Sequence, residues 1–279
     1  MGNASNKQAR RTHEDRPAIW VGYGKLVKLF RDNAGLTQEE LAARVGYSLE
    51  HVGSVEQGRR PAKAQFTAAA ERVLKAGGAL EVLQEEVDLA KLPAFFRDFV
   101  LIEMEAVSRC SYDPQLVPGL LQTEDYARSV FEGRCPQLTD EAVEDNVDAR
   151  LTRQKLLTKT PAAEFAFIVG ETALRNPVGG PQIMGAQLQH LLEQSRLRNV
   201  EIQVMRADYG YHPGLDGPIV LVETEEHHQF GYFESQGIGH VVSDPSQVSL
   251  FGLRYGKLRS MALNIGESAA FIEELAGEL

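Results

Sequence analysis

The chain has 279 residues, 43% of them hydrophobic, and a formal net charge of -10. This is enough for a proper core and for one large or two ordinary domains. No run approaches the roughly 20 apolar residues of a membrane span, and residues 1–18 lack the apolar centre of a signal peptide, so a soluble, cytoplasmic protein is expected. Only two cysteines occur, Cys110 and Cys135, and neither lies in a CxxC or other metal-ligand spacing. A disulfide framework, a metal site and a bound cofactor are therefore not expected. The charge is uneven: residues 1–63 hold eleven Lys/Arg against seven Asp/Glu, leaving 18 against 32 for residues 64–279. A weakly basic head can approach a polyanion, whereas an acidic body is repelled by one.

After a basic tail over residues 1–18, expected to be flexible, Tyr23, Leu26, Val27 and Phe30 recur at helical spacing and Gly35 stops the run. Thr37 and Glu40 form a T-x-x-E capping box for a second helix, whose buried stripe is Leu41, Ala42 and Val45. Gly46 supplies a turn and Ser48 caps a third helix, which Gly58 ends. Two helices about a glycine turn are the helix-turn-helix pattern. Further helical signals around Phe66, Ala70, Val73 and Leu74 give about five helices over residues 19–88, with a boundary near 88–92.

The stretch "LTQEELAARVGYSLEHVGSVEQG" resembles the repressor-type helix-turn-helix domains of the XRE family, with Gly53-Ser54 where that family usually has Val-Ser. The resemblance implies double-stranded DNA as partner. It implies an ion pair between Arg31 and Glu56, base contacts by Leu49, Glu50 and Ser54, and backbone contacts by Gln38, Ser48, Gln57, Arg59 and Arg60. A head with an excess of only four positive charges binds non-specific DNA modestly, so a homodimer on an inverted-repeat operator is expected.

In residues 89–279, Phe95, Phe99, Ile102 and Ala106 mark a helix, "SRCSYDP" a short strand, and Thr123 the cap of another helix. The next helix, about 139–158, has Val143, Val147 and Leu151 in one row and Arg150 with Arg153 on another face. That pair suits a carboxylate, but a solvated or Glu-paired face is the simpler reading. Strands are expected at "EFAFIVGE", "VEIQVM", "PIVLVE", "QFGYFES" and "GHVVSD", with helices over 182–197 and 246–263 and a final helix capped by Asn264 and Glu267. The expected fold is thus a mainly α helix-turn-helix domain followed by an α+β domain with a small, mostly antiparallel sheet.

Blocks such as "LVPGLLQTEDYARSV", "RLTRQKLL" and "HPGLDGPIVLVE" are similar to the long C-terminal domain of uncharacterised role in actinobacterial antitoxin-like regulators. This implies dimerisation through residues 89–279 and a small partner protein encoded nearby. A small-molecule sensor is the alternative, bordered by the aromatic and apolar residues around "GYHPGLDG". An enzyme is not expected: none of the seven histidines lies in H-E-x-x-H, no G-x-S-x-G occurs, and the adjacent His227 and His228 read as a polar hairpin tip.

Overall fold

The computed structural model describes residues 17–92 and 94–279, and the chain divides into two compact units after residue 93. The first unit is helical: α1 (Ala18–Asn33), α2 (Gln38–Val45), α3 (Leu49–Glu56), α4 (Ala64–Leu74) and α5 (Gln84–Leu89). The basic tail expected over residues 1–18 lies outside the described residues as far as residue 16; Ala18 already begins α1.

Local chemistry sets these helix ends. At α2 the Thr37 hydroxyl accepts from the Glu40 amide at 3.2 Å while the Glu40 carboxylate accepts from the Thr37 amide at 2.8 Å, a closed capping box. Gly46 then takes φ +79°, a left-handed conformation that reverses the chain after only eight helical residues. Ser48 accepts from the His51 amide at 3.1 Å and restarts the helix as α3. Tyr23, Val27, Leu41, Val52, Val55 and Phe66 form the centre of a core that joins all five helices. The Trp20 indole donates to the Val87 carbonyl at 3.0 Å, which ties α1 to α5.

The second unit runs α6 (Ala94–Met104), β1 (Ala106–Asp113), α7 (Glu124–Glu132), α8 (Asp140–Arg153), β2 (Glu164–Gly170), α9 (Glu171–Arg175), α10 (Pro181–Gln194) and β3 (Val200–Met205). It continues β4 (Ile219–Thr224), β5 (Gln229–Ser235), β6 (Ile238–Val242), α11 (Pro245–Met261) and α12 (Ile265–Glu278). The six strands form one mixed sheet in the order β3-β2-β1-β4-β5-β6. β1, β2 and β3 are parallel, and β4, β5 and β6 are added antiparallel.

This corrects the expected small, mostly antiparallel sheet. Parallel neighbours need crossover connections, and α7 with α8 makes the crossover from β1 to β2 while α10 makes that from β2 to β3. The helices α7, α8 and α10 were legible, whereas Glu171, expected to end a strand, begins α9, and the sheet order that the crossovers impose was not legible. Ala106, expected on the last turn of a helix, instead begins β1, because α6 stops at Met104. The final helix is capped reciprocally by Asn264 and Glu267.

Side chains alternate across the sheet. One face of β1 presents Cys110 and Tyr112, which pack with Ile168, Ile219, Tyr255 and Leu258 beneath α11. On the other face, Phe165, Phe167 and Val169 of β2 join a large core with α7, α10 and α12, while Val220, Val222 and Tyr232 join a smaller one under α6. Between these two apolar clusters the same face of β1 carries Arg109, Ser111 and Asp113, a polar seam in the middle of the sheet.

Candidate nucleic-acid interface

The arrangement of α3 follows from two apolar residues and two glycines. Val52 and Val55 are fully buried, which turns the opposite side of the helix outward. α1 can approach α3 closely because residue 24 has no side chain: a β-carbon there would stand 2.2 Å from the Val55 carbonyl oxygen. At the end of α3, Gly58 adopts φ +61° and lies against Val21, where a β-carbon would meet the Val21 Cα at 2.7 Å. Neither glycine contact was legible from spacing, since each depends on a helix more than 30 residues away in sequence.

Arg31 and Glu56 lock the same two helices from the other end. The guanidinium Nε donates to Glu56 Oε1 at 2.6 Å and Nη2 to Oε2 at 3.1 Å, a bidentate pair with side-chain exposures of 8% and 2%. Arg31 Nη1 also donates to the Leu36 carbonyl at 2.8 Å, and Gln38 Nε2 donates to Glu56 Oε2 at 2.7 Å. The hydrogen bond to Glu56 moves the Arg31 pKa further upward. A buried pair is tolerable only when its remaining donors and acceptors are satisfied, and here Leu36 and Gln38 satisfy them.

The residues expected at the DNA divide into two groups. Ser48, Leu49, Glu50, Gln57 and Arg59 are exposed, and Leu49 is 50% exposed although it is apolar. Ser54 is half-buried on the same helix. The others are drawn into the fold: Gln38 spends one amide hydrogen on Glu56, and Arg60 Nη1 donates to His51 Nδ1 at 3.0 Å. A guanidinium can only donate, so His51 Nδ1 accepts and the proton of the neutral ring resides on Nε2. His51 itself packs in tilted contact with the Tyr47 and Phe66 rings, which holds Arg60 at the edge of α3.

In the second unit, Arg150 and Arg153 do not lie on a solvated face. Arg153 is paired with Glu103, through Nε at 2.5 Å and Nη2 at 2.8 Å, whereas Arg150 donates to Gln122 Oε1 at 2.6 Å and pairs with no carboxylate among the described residues. Glu103 was not singled out from the sequence, because its partners Arg109 and Arg153 lie six and fifty residues away. His227 and His228 occupy the exposed turn between β4 and β5, and the His227 ring hydrogen-bonds Glu223 at 2.7 Å. Cys110 and Cys135 are free thiols, and no cluster of metal-ligand residues occurs among the described residues. No helix among them is long and apolar enough to cross a membrane.

Residues 23–83 match a family described as helix-turn-helix domain, and residues 96–274 match one described as a domain of unknown function (DUF5753). No curated protein and no solved structure matches the chain. A helix-turn-helix unit with an outward α3 is the arrangement of a DNA-binding regulator, and since the second match spans more than half of the chain, the protein belongs to the DUF5753 family.

Proposed function

We propose that this protein is a sequence-specific transcriptional regulator of the XRE, antitoxin-like type, with no enzymatic role. Its α3 enters the major groove, with Leu49, Glu50 and Ser54 at the base edges. Ser48, Gln57 and Arg59, with Gln38 and Arg60, hold the phosphate backbone. The observation that carries this reading is the exposure of Leu49 on a helix whose other apolar side chains, Val52 and Val55, are fully buried. An apolar side chain facing water on a recognition helix suits the methyl group of thymine, while Glu50 suits the amino group of cytosine.

The chain acts as a homodimer on an inverted repeat with half-sites about one helical turn apart, some 34 to 36 Å. Residues 94–279 hold the dimer and receive a small basic protein encoded nearby. The negative balance of the chain outside its head supports this, since acidic surface adds no phosphate contacts and attracts basic partners.

Selection of binding sequences from random duplexes with the full chain, followed by salt titrations, tests the proposal. Leu49→Ala is expected to change the preferred base at one position of each half-site. Arg59→Ala is expected to weaken all duplexes alike and to reduce the salt slope by about one unit. Recovery of no enriched sequence, or an unaltered salt slope in Arg59→Ala, would overturn it. Pull-down with the full chain against neighbouring gene products tests the partner, and capture of none of them removes that part of the reading.

A further inference from the structure

Of the arginines in and beside the polar seam of the second unit, Arg109 and Arg153 bond to the same carboxylate and Arg150 bonds to none among the described residues. Arg153 donates twice to Glu103, and the same carboxylate accepts from Arg109 Nε at 2.7 Å, so two guanidiniums share one acid. Arg109 then donates to Ser111 Oγ at 3.1 Å, and Ser111 to Asp113 Oδ2 at 2.6 Å. Burial pushes the Asp113 carboxyl upward, and the neighbouring Arg109 offsets this only in part. Glu234, the other acid facing the seam, accepts from the Tyr232 hydroxyl at 3.2 Å.

Arg150, close enough to Arg153 to feel its charge, has no bonded acid among the described residues. Its single hydrogen bond among the described residues is the one from Nη1 to Gln122, which leaves most of its donors unused. The guanidinium rests 4.8 Å from the centre of the Phe131 ring and presses on the backbone of residue 119. A β-carbon at Gly119 would stand 3.0 Å from Nη1 and 3.2 Å from Cζ, tighter than ordinary contact, so glycine there lets this arginine lie close. Arg134 lies 5.4 Å from the same Phe131 ring and has no carboxylate partner among the described residues either. Burial first, then the positive charges of Arg153 and Arg134, lower the Arg150 pKa to about 10, against a smaller opposing effect of Glu234.

Packing alone does not account for this choice of residue. A methionine or leucine would cover Phe131 and fill the space beside Gly119 without a desolvated charge. The unused donors of this half-buried cation are not sealed in the core, so among like-charged neighbours they are accessible to an anion from solution. The geometry points to a binding site for the phosphate group of a small phosphorylated molecule, gripped by Arg150 and supported by Arg134. Two guanidiniums lacking acids match the double charge of a phosphate, and the planar fork of arginine fits its oxygens. A long polyanion does not suit the site, because the unit as a whole is acidic and Arg150 is recessed beside the loop at Gly119. The inference does not depend on whether the first unit binds DNA.

The test uses the full chain with inorganic phosphate as probe, at constant ionic strength maintained with sodium chloride. Thermal unfolding and the phosphorus NMR linewidth are followed in the wild type, R150M, R134M and R59A. The wild type is expected to show a saturable rise in unfolding temperature with phosphate, and none when acetate replaces it. R150M, which fills the same space, is expected to stay folded in chloride and to bind phosphate about tenfold more weakly or worse, through loss of one charged fork. R134M, altered at an exposed position, is expected to melt as the wild type does in chloride and to bind phosphate roughly threefold more weakly. R59A, in the other unit, is expected to respond as the wild type does. A wild type indifferent to phosphate, an equal response to acetate, or a response abolished by R59A would overturn the proposal. So would unchanged phosphate affinity in R150M or, should R150M fail to fold, in R134M.

Discussion

Gly24 of α1 faces the Val55 carbonyl of α3 so closely that a β-carbon would lie 2.2 Å from the oxygen, and 2.7 Å from that of Glu56. Both atoms belong to the backbone, so neither can rotate away. Gly24→Ala is expected to push the helices apart and to destabilise the first unit by about 3 kcal/mol or more, the upper end of overpacking costs. Circular dichroism melting of the variant checks this, and loss of DNA binding is expected to accompany the lower transition. An unchanged melting curve would mean that α1 and α3 do not cross at this glycine.

Gly53 of α3 makes the opposite case. Its nearest neighbour, Gln38 Oε1, would be 3.8 Å from an added β-carbon, an ordinary contact distance. A glycine inside a helix costs about 1 kcal/mol relative to alanine, chiefly through backbone entropy. Gly53→Ala is therefore expected to stabilise the first unit by roughly 0.5 to 1 kcal/mol. The measurement is a denaturant titration of both proteins, and a lower midpoint in the variant would show that α3 needs the freedom of glycine there.

These two glycines show where sequence reading succeeds and where it stops. Helix starts were legible because Thr37, Ser48, Thr123 and Asn264 act on residues three positions away, within one turn. The stripe of Leu41, Ala42 and Val45 was legible for the same reason: helical periodicity is local. The order of the sheet was not, because Arg109 of β1 faces Phe165 on one side and Val222 on the other, and no local signal relates these segments. The interface was half legible. The apolar period groups Leu49 with Val52 and Val55, facing inward or toward the turn, yet Leu49 is 50% exposed, and the commitment of Gln38 to Glu56 and of Arg60 to His51 depends on tertiary contacts.

The Arg31–Glu56 pair is expected to be worth more to the head than its surface charges are. Glu56→Ala leaves the guanidinium buried with the Leu36 carbonyl and the partly exposed Asp32 as its remaining partners, and also removes the acceptor of Gln38. The expected loss is on the order of 3 to 5 kcal/mol. By contrast Arg128→Ala, which removes an exposed pairing with Glu124 and Glu144, is expected to change stability by less than about 1 kcal/mol. Comparable effects of the two substitutions in the same unfolding assay would contradict the burial argument.

Asp113 gives a pH dependence of definite sign. Burial raises its carboxyl pKa, so the folded chain binds this proton more tightly than the unfolded chain does. The resulting stability is fully present below the ordinary aspartate value of about 3.9 and is lost as pH rises through the raised folded value. Asp113→Asn retains an acceptor for the Ser111 hydroxyl and cannot ionise. It is expected to raise the unfolding temperature at neutral pH, with the gain shrinking as the medium is acidified. A gain independent of pH would show that ionisation of Asp113 is not its source.

Glu103 has the opposite sign, although it lies in the same seam. Burial alone would raise its carboxyl pKa, but Arg153 and then Arg109 outweigh burial, and the net displacement is downward. Its contribution is therefore present above the unfolded glutamate value of about 4.3 and disappears as pH falls through the lower folded value. Glu103→Gln removes the carboxylate with which Arg109 and Arg153 both pair directly, and leaves two guanidiniums facing each other near a third, Arg150. The expected cost at neutral pH is about 3 to 5 kcal/mol. Unfolding temperatures of wild type and variant, compared at intervals from neutral pH downward, should converge on the acid side as the wild-type carboxyl becomes protonated. Loss of charge pairing produces that convergence, whereas loss of shape alone would leave the gap constant across the whole range.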